Sequence, residues 1–577
     1  MLIGIDLGTT NSLAACYRYG KTEIIVNRLG KKITPSIVSI DDNGHILVGE
    51  TAREYGILHP ERSASVFKRA MGTNKIFDLG EHSFSAEELS SFVLRSLKED
   101  AETYLNEKID EAIISVPAYF NDKQRKATIR AGELAGLKVS RIINEPTASA
   151  IAYGVGDKGK SERCLVLDLG GGTFDVTVLE YYKNIMEVYA IAGDNFLGGE
   201  DFTQVLFEMF IEKTKLDQEV IGFRDLKLIF KAAEQAKCSF CDSDTVLMNV
   251  TVAGKKYAQS FDLNEYEARC MELLEKFRKP IEKALNDARI TLNDLDEVLL
   301  TGGAIRLPII KKYVRRICNM EPVSFAQPEE SVAVGAALQC AMKERKEQVE
   351  EVVLTDVCPF TLGTSVIRDN GSFEIPGVYL PIIERNTVIP VSRKQTVYTA
   401  HDNQKYVDVK ILQGESRIAD NNILLGKLTV EVPVGPKGQE AIEITYTYDI
   451  DALLEVEVKV LSTGVTKNAV IHDEEKQESE EEKASRAKRL EYLKFNPRED
   501  EENMLVMLRA DRVYEESLSE DRKTIEELIE ELQKALDEKN IMMIEINKKK
   551  LTELLDEIEN GKNDHFIAYI CSPISEL

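Results

Sequence analysis

The spacing of apolar residues divides the chain into regions of different secondary structure. In residues 1–345, strand-like apolar runs alternate with helix-like segments, which is typical of α/β folds. Residues 359–472 instead carry short runs of alternating apolar and polar residues broken by Gly, Asn, Asp and Pro, and this pattern predicts an all-β region. The clearest of these runs are Tyr406–Leu412, Ile423–Val432, Ala441–Tyr448 and Leu454–Leu461.

The chain becomes acidic and then helical after the all-β region. The charged run Asp473–Lys483 predicts the solvated start of a helix. In Ile525–Leu536, apolar residues recur at i, i+3, i+4 and i+7, which predicts an amphipathic helix. Residues 346–358 separate the α/β region from the all-β region, and they combine a charged helix end with the short apolar stretch Val352–Leu354. We interpret these residues as a linker.

One loop motif occurs twice in the α/β region. Leu2–Ser12 reads LIGIDLGTTNS and Cys164–Asp175 reads CLVLDLGGGTFD, so each copy is an apolar strand that ends in Asp, Gly and Thr. Gly residues allow a tight turn, and their N–H groups with the Thr hydroxyls can surround phosphate oxygens. Asp6 and Asp168 can face a hydrated Mg²⁺, which prefers oxygen ligands. Two copies predict two related lobes around one nucleotide.

A third strand-to-glycine turn, Val298–Arg306, reads VLLTGGAIR. Its glycines would let the backbone approach a nucleotide, and the planar guanidinium of Arg306 can stack on a base. An ordinary βα turn is the alternative. Cys238 and Cys241 form a CxxC pair without a second pair or a His cluster, which favours inert residues over a metal or redox site.

Composition excludes several classes of protein. The 577 residues are too many for one core, and 43% hydrophobic with 30% charged residues is typical of a soluble globular protein. A net charge of −26 argues against nucleic acid or an anionic membrane as the main partner. The nine cysteines show no disulfide-like spacing, and we find neither a signal peptide nor an apolar run that could span a bilayer. We therefore expect a cytoplasmic protein.

The motifs resemble those of the seventy-kilodalton heat-shock (DnaK-type) chaperones over nearly the whole chain. The matching stretches, in order, are Ile5–Ser12, Val116–Arg125, Arg141–Ala148, Asp168–Asp175, Gly193–Phe202, Val334–Gln339 and Leu412–Glu415. The short nucleotide domain and short C-terminal region look most like the HscC-type branch. The resemblance implies a multi-domain chain: an actin-like (hexokinase-like) α/β ATPase domain of two lobes at 1–345, a linker at 346–358, a β-sandwich substrate-binding domain at 359–472 and a short α-helical lid at 473–577.

The resemblance also implies the residues that bind ATP or ADP, Mg²⁺ and optionally K⁺. By position, the catalytic group comprises Lys68, Glu145, Thr173 and Asp175. Asp6 and Asp168 would bind Mg²⁺ through water. The nucleotide-binding residues would be Gly8, Thr9, Thr10, Asn11, Gly171, Gly172, Thr173, Glu234, Lys237, Gly303 and Arg306. Without the resemblance, Lys68 would be a surface lysine and Glu145 a loop carboxylate.

Other residues match positions that transmit the nucleotide state or contact partners. Pro117, Arg125, Arg141 and Asp356 would be allosteric, and Tyr119, Asn121, Asp122 and Arg141 would meet a J-domain cochaperone. Pro117 also follows the strand Ile113–Val116 and suits the start of a helix. The client groove would comprise Leu362, Thr364, Ile367, Val397, Ala400, Val407 and Val409, although alternating apolar residues in strands are more often core.

The expected function is therefore ATP-controlled binding of extended apolar segments of unfolded proteins. Clients would exchange quickly with ATP and be held tightly with ADP. A sugar kinase of the same superfold is an alternative, because one fold hosts many functions, but a kinase needs neither the all-β region nor the apolar linker. A filament-forming protein conflicts with the negative charge, and a nucleotide-insensitive holdase would not need the phosphate loops. The sequence does not identify a nucleotide-exchange factor.

Overall fold

The structure is a computed structural model. It describes residues 1–153, 161–182, 185–218, 220–346, 353–369, 374–449, 454–470, 498–517, 519–537 and 541–570.

The first lobe surrounds a mixed sheet. Its elements are β1 (Leu2–Asp6), β2 (Asn11–Arg18), β3 (Lys21–Ile25), β4 (Thr34–Pro35), β5 (Ile37–Ile40), β6 (Ile46–Val48), α1 (Glu50–Leu58), β7 (Ser63–Ser65), β8 (Ile76–Leu79), β9 (His82–Ser85), α2 (Ala86–Leu105), β10 (Glu111–Val116), α3 (Asp122–Leu134), β11 (Lys138–Asn144) and α4 (Glu145–Ala152). The main sheet has the order β11-β10-β1-β2-β3, in which β10 and β11 run parallel to β1 while β2 and β3 form an antiparallel meander.

The second lobe repeats this arrangement. Its elements are β12 (Glu162–Leu169), β13 (Phe174–Tyr182), β14 (Ile185–Asp194), α5 (Gly199–Thr214), α6 (Phe223–Ser239), β15 (Thr245–Val252), β16 (Lys255–Asp262), α7 (Leu263–Glu275), α8 (Arg278–Ala288), β17 (Glu297–Thr301), α9 (Pro308–Cys318) and β18 (Val323–Ser324). The next helix, α10 (Ser331–Lys343), packs back on β1, β2 and α4 of the first lobe. The strand order β18-β17-β12-β13-β14 has the same parallel and antiparallel pairings as the first sheet. The two phosphate-loop motifs therefore follow equivalent strands, β1 and β12.

The starts of helices α3 and α4 follow local capping rules, but α3 does not begin where the sequence predicted. The Asn121 side chain accepts from the Gln124 backbone, the Gln124 side chain accepts from the Asn121 N–H, and α3 begins at Asp122. The expectation that Pro117 starts this helix is wrong, because Pro117 lies in the turn before this capping box. Pro146 does occupy the first turn of α4.

The β-rich region forms two four-stranded sheets. Its strands are β19 (Val353–Val357), β20 (Leu362–Asp369), β21 (Glu374–Ile383), β22 (Val388–Ile389), β23 (Val391–Tyr398), β24 (Tyr406–Gln413), β25 (Ile423–Glu431), β26 (Ala441–Tyr448), β27 (Leu454–Val460) and β28 (Thr466–Val470). One sheet has the order β21-β20-β24-β25 and the other β23-β26-β27-β28. Their inner faces share one apolar core, in which Tyr446 is fully buried and donates its hydroxyl to the Gly363 carbonyl at 2.9 Å.

Strand β19, which falls in the expected linker, belongs to neither of these sheets. It runs parallel to β14 at the edge of the second-lobe sheet, with Leu354 opposite Met186, and it pairs antiparallel with β22 on its other side. The linker strand therefore joins the second lobe and the β-rich domain into one sheet. Val352 and the preceding expected linker residues from 347 on lie outside the described residues.

The described C-terminal helices pack together around a small apolar core. They are α11 (Arg498–Glu516), α12 (Ser519–Asp537) and α13 (Ile541–Ile570), and α12 contains the predicted amphipathic run. Asp473–Lys483 lies outside the described residues. Within the described part of the chain, every helix is either too short or too polar to cross a bilayer. The expected domain boundaries stay a prediction.

Candidate functional site

The two phosphate-loop motifs face each other across a cleft between the lobes. The cleft has a volume of about 520 Å³, and residues of both loops line it, Gly8 to Asn11 from the first lobe and Gly170, Gly171 and Thr173 from the second. A Cβ atom on Gly171 would lie 2.2 Å from the Thr10 hydroxyl oxygen, so only glycine permits this approach of the loops. The volume is in the range of small-molecule sites.

Four carboxylates converge at the floor of the cleft: Asp6, Glu145 and Asp168 line it, and the charge of the buried Asp175 acts on Asp168. Asp6 ends β1, Asp168 lies in β12, Asp175 lies in β13 and Glu145 begins α4. As whole residues all except Asp6 are buried. Ser115 donates its hydroxyl to Asp6 at 2.8 Å, and the Tyr119 N–H donates to Asp175 at 2.9 Å. The sequence predicted all four carboxylates and the structure brings them together.

Burial raises the pKa values of three aspartates in this cluster, because nearby positive charge does not compensate for the loss of water. Desolvation, with the nearby Glu145 charge, raises the pKa of Asp6 and of Asp175 to about 7. Desolvation also raises the pKa of Asp168 well above its usual value, and the charges of Glu145, Asp175 and Asp6 add to that effect. The cluster therefore favours proton uptake or a bound cation.

The donor set fits a hydrated divalent cation. One carboxylate oxygen of Asp168 and one of Asp175 are buried and find no hydrogen-bond partner among the described residues. Buried polar atoms are normally satisfied, so such orphaned oxygens indicate missing partners. Carboxylate oxygens in a cleft that also admits water match the preference of Mg²⁺. Asp6 and Asp168 would hold the ion's water shell from the two lobes.

Lys68 is the cation that belongs to the carboxylate cluster. It is 2% exposed, its ammonium lies 2.7 Å from a Glu145 oxygen, and the Phe120 ring centroid lies 5.6 Å away. The next residue, Arg69, was missed by the sequence interpretation. Its guanidinium donates to the Gly172 carbonyl at 2.9 Å and pairs with Asp201 at 2.7 Å, so it connects the first lobe to the second phosphate loop.

Helix α6 and the turn after β17 form the far wall of the cleft. The Lys237 ammonium lies 2.7 Å from Glu234 and donates to the Gly199 carbonyl at 3.0 Å. Gly303 has open space where a Cβ would lie, which leaves room above the backbone for a ligand. Arg306 lines the same cleft but binds Glu329 at 2.8 Å. Glu329 was missed, and it orients the guanidinium that we expected to stack on a base.

A hydrogen-bonded relay runs from Arg125, one of the expected allosteric residues, to Asp356 in the linker strand. The Arg125 guanidinium donates to the Asn144 side-chain oxygen at 2.7 Å, and the Asn144 amide donates to Asp356 at 2.7 Å. Burial raises the pKa of Asp356, while the charges of Arg125 and Arg141 oppose that rise. The sequence predicted Arg125, Arg141 and Asp356 but missed Asn144, whose only signal was its place directly before Glu145.

A second route runs from Asp175 to the β-rich domain through Tyr119. The Tyr119 backbone binds Asp175, and its ring packs against Phe360 with the centroids 4.6 Å apart. Lys283 donates to the Tyr119 hydroxyl at 2.8 Å, which fixes the ring. Pro117 supplies the turn, because its carbonyl accepts from the Phe120 N–H at 3.1 Å. A carboxylate of the cleft is thus two contacts away from the other domain.

Polar contacts fasten the β-rich domain to the lobes. Arg385 binds Asp287 of α8 with both ends of its guanidinium, at 2.7 and 2.8 Å, and Asn386 donates to Asp287 at 3.0 Å. The Asp122 N–H donates to Gln413 at 3.1 Å, and the Asp122 side chain is buried beside Lys126. Two of the expected cochaperone contacts, Tyr119 and Asp122, therefore lie at this domain interface.

Helix α11 docks on the first lobe through buried charges. Arg512 lies 2.6 Å from Glu54 of α1, and the other oxygen of Glu54 lies 2.7 Å from Lys231 of α6. The charges of Lys231 and Arg512 hold the pKa of Glu54 at about 2, despite opposing desolvation. Further along the same surface, Arg28 pairs with Glu501 at 2.8 Å. Glu54 therefore connects α11 to both lobes.

The expected client-binding residues differ in accessibility. Leu362, Thr364 and Val409 are almost fully buried, and Leu362 and Val409 belong to the β-sandwich core. Thr364 is also polar, and its hydroxyl finds no partner among the described residues. Ile367, Val397, Ala400 and Val407 are half-buried. The assignment of all seven to a client groove stays a prediction.

Residues 2–577 match the family model described as Hsp70 protein. Among curated relatives, the chaperone protein DnaK of Thermotoga petrophila is 39% identical over 94% of this chain and 94% of its own. The chaperone protein DnaK of Thermosipho melanesiensis is 38% identical over 97% of this chain and 96% of its own. That of Thermotoga neapolitana is 41% identical over 82% of this chain and 80% of its own.

Proposed function

Since the chain belongs to the Hsp70 family, we propose that nucleotide in the cleft between its lobes controls how its β-sandwich domain holds unfolded polypeptide. The chain is an ATPase and an ATP-dependent molecular chaperone of the heat-shock class. The repeated sheets form an actin-like ATPase domain, the paired four-stranded sheets form a peptide-binding β-sandwich, and helices α11 to α13 belong to a lid. The HscC-type branch stays a prediction, because the relatives above are DnaK proteins.

The chain's own residues can carry out ATP hydrolysis by positioning and charge. Bound Mg²⁺ would supply charge neutralisation at the phosphates. Gly8–Asn11 and Gly171–Thr173 would bind phosphate oxygens from opposite sides, and Lys68 would place positive charge beside the reacting phosphate. Glu145 and Asp175 would orient the attacking water. Their short contacts to Lys68 and to the Tyr119 N–H support fixed positions for both carboxylates.

The observation that carries the coupling is the linker strand β19. It pairs with β14 of the second lobe and with β22 of the β-sandwich, and Asp356 within it binds Asn144. Because Asn144 immediately precedes Glu145, a change at the cleft carboxylates reaches the linker through one peptide bond. ATP can shift the equilibrium between docked and free linker only by binding one state more tightly than the other. The coupling is reciprocal, so a bound client also changes nucleotide affinity.

Clients would bind as extended segments through backbone hydrogen bonds and an apolar pocket. The half-buried residues Ile367, Val397, Ala400 and Val407 are the strongest candidates for this contact. A J-domain cochaperone would approach Tyr119, Asn121, Asp122 and Arg141 near the docked β-sandwich. We place the protein in the cytoplasm, in keeping with the family.

Fluorescence anisotropy of a labelled apolar peptide tests the proposal. We expect faster peptide dissociation when ATP replaces ADP. Thr173→Ala, which removes a phosphate-loop hydroxyl, should weaken that response, whereas Thr463→Ala in an exposed β-turn should not. Equal dissociation rates with both nucleotides would contradict the coupling.

A further inference from the structure

Two exposed thiols lie inside the nucleotide cleft. Cys238 lies in the last turn of α6 and Cys241 follows just after the helix, and both line the cavity between the phosphate loops and Arg306. The Cys238 sulfur lies 3.7 Å from a Glu234 oxygen, and the Cys241 sulfur lies 3.4 Å from the Arg306 carbonyl oxygen. They therefore belong to the wall where we place the nucleoside.

The other described cysteines are inaccessible. Cys16, Cys164, Cys270, Cys318, Cys340 and Cys358 are all buried. Burial raises the pKa of Cys164 and Cys340 and suppresses their thiolates. Among the described residues, a reagent in solution thus meets thiols only at Cys238 and Cys241. Cys571 lies outside the described residues.

The backbone places these two cysteines one turn apart. The Cys241 N–H donates to the Cys238 carbonyl at 3.1 Å, so the side chains share one face of the turn. Residues three apart on a helix have Cβ atoms about 5 to 6 Å apart, whereas a disulfide needs about 3.5 to 4.5 Å. A bond between them therefore requires this turn to tighten by about 1 to 2 Å. Because Cys241 lies beyond Ser239, the last residue of α6, the movement can occur there without breaking the helix.

The sequence favoured inert residues here, but the exposure of both thiols inside the cleft argues against that interpretation. We propose that hydroperoxides oxidise Cys238 and Cys241 and that this oxidation opposes nucleotide binding; this inference rests on the proposed function. One thiolate attacks the peroxide O–O bond, and a sulfenic acid and one molecule of water form, or an alcohol where the peroxide is organic. The second thiol then attacks the sulfenic sulfur, and the S–S bond forms as a second water leaves. The two thiols lose two electrons and two protons, and the peroxide is reduced.

The expected consequence follows from the contacts of the two sulfurs. Tightening the turn draws Cys241 away from the Arg306 carbonyl and changes the shape of the wall beside Glu234 and Lys237. Nucleotide affinity should fall, and bound nucleotide should protect both thiols from peroxide. Desolvation raises the pKa of Cys238 to about 11, so the reaction is expected to be slow at neutral pH and faster in alkaline solution.

The test uses the full chain with Cys571→Ser, treated with hydrogen peroxide with and without saturating Mg·ADP. Peptide mass spectrometry should show a Cys238–Cys241 link by the loss of two hydrogen atoms, and Mg·ADP should slow its appearance. The oxidised protein should bind a fluorescent ATP analogue at least about five-fold more weakly, the lower end of typical couplings, and a reductant should restore binding. Cys318→Ser, at a buried position, should respond as its parent does.

The variant Cys238→Ser/Cys241→Ser, compared with itself before and after peroxide, should lose the response. No link between these cysteines, no protection by Mg·ADP, or unchanged affinity after oxidation would overturn the proposal. If the reduced parent protein binds no nucleotide, the proposed function itself fails. If it binds nucleotide and peroxide has no effect, only this inference fails.

Discussion

At the scale of residues, four carboxylates and the buried Lys68 form one cluster at the floor of the cleft. Asp6, Asp168, Asp175 and Glu145 come from four elements, and the Lys68 ammonium pairs with Glu145. This excess of negative charge prepares the cleft for Mg²⁺ and leaves Lys68 as the protein's own positive group beside it. We make predictions for the positive charge of Lys68 and for the negative charges of the carboxylates.

Lys68→Ala should reduce ATP hydrolysis by about 100-fold or more, because one preorganised charged donor in a buried site is worth that amount. Single-turnover hydrolysis of radiolabelled ATP measures the effect, and a fluorescent nucleotide measures binding separately. The exposed Lys256→Ala in the distant β16 strand is the matched control. Hydrolysis at the parent rate in Lys68→Ala would contradict the assigned role.

Without nucleotide and Mg²⁺, stability should fall as pH rises from about 5 to about 8. Asp6 and Asp175 have folded pKa values of about 7, above their usual values, so the folded state binds more protons in this window. Deprotonation of these two carboxyl groups in the folded state therefore lowers the free energy of unfolding.

Asp168→Asn should raise the melting temperature at pH 8, because it removes one buried charge from the cluster, and should flatten the pH dependence. Each kcal/mol corresponds to roughly 2 to 4 °C for a domain of 150 to 250 residues and to less for the larger two-lobed region. Scanning calorimetry in EDTA at several pH values measures both effects. Mg·ADP should stabilise the parent more than the variant, and parallel pH profiles would contradict the prediction.

Sequence patterns identified the residues whose chemistry and local motif agree, such as Asp6, Asp168 and Thr173. They missed Glu329, which pairs with Arg306 at 23 positions' distance, and they missed Asn144 and Arg69, whose roles depend on partners far along the chain. Asn144 binds a residue 212 positions away, and Arg69 binds one 132 positions away. No local pattern encodes such a pairing, because it exists only after the lobes and the linker have packed.

At the scale of elements, helix α11 is the part of the lid that contacts the lobes. Met504 and Leu508 pack against Leu47, Ala52 and Tyr55, and Arg512 completes the contact at Glu54. The same Glu54 pairs with Lys231 of the opposite lobe. Docking of α11 and closure of the cleft therefore share one carboxylate.

Arg512→Ala should release α11 from the first lobe and speed nucleotide release. Glu54 keeps Lys231, so we expect about a ten-fold loss of the docked state, which corresponds to ~1.4 kcal/mol, below the 3 to 5 kcal/mol of a fully broken buried pair. Hydrogen–deuterium exchange of α1 and α11 with ATP measures docking, and stopped-flow displacement measures release. Lys523→Ala, an exposed position on α12, is the control. Unchanged protection of α1 would contradict this contact.

The spacing of apolar residues alone predicted the elements named above that pack within one domain. The run Ala441–Tyr448 is β26 with the same bounds, and Ile525–Leu536 lies in α12. The helix start at Pro117 was wrong, because the capping box at Asn121 dominates the local preference of proline. The role of β19 was also not predictable in detail, since five residues with one apolar stretch resemble any short connection.

At the scale of the whole molecule, the docked arrangement depends on contacts that the lobes make with the linker strand and with the β-rich domain. Arg385 and Asn386 bind Asp287, Phe360 packs on Tyr119, and Asp356 reaches Asn144. The domain order was predictable from the change in hydrophobic period. The docking was not, because each contact joins residues that have no common sequence signal.

Asn144→Ala should separate ATP hydrolysis from client release. The substitution breaks the relay between Arg125 and Asp356 and leaves the Asp356 carboxylate buried without its amide donor. We expect nucleotide affinity within about three-fold of the parent, because a relay residue outside the cleft lining changes coupling more than binding. Peptide dissociation should no longer accelerate with ATP. Asn264→Ala, on the exposed face of α7, is the control. A full ATP response in Asn144→Ala would exclude this relay.

Strand β19 has one more consequence. If β19 leaves the sheet, the edge of β14 becomes exposed, and Met186 and Glu187 lose their backbone pairing partners. Such an edge can pair with a strand of another chain. In its undocked form the chaperone would then expose an unpaired edge strand that can associate with other chains. Amide protons along Ile185–Asp194 should exchange faster with ADP than with ATP, and Glu187→Val should make the ADP form prone to self-association, seen by light scattering.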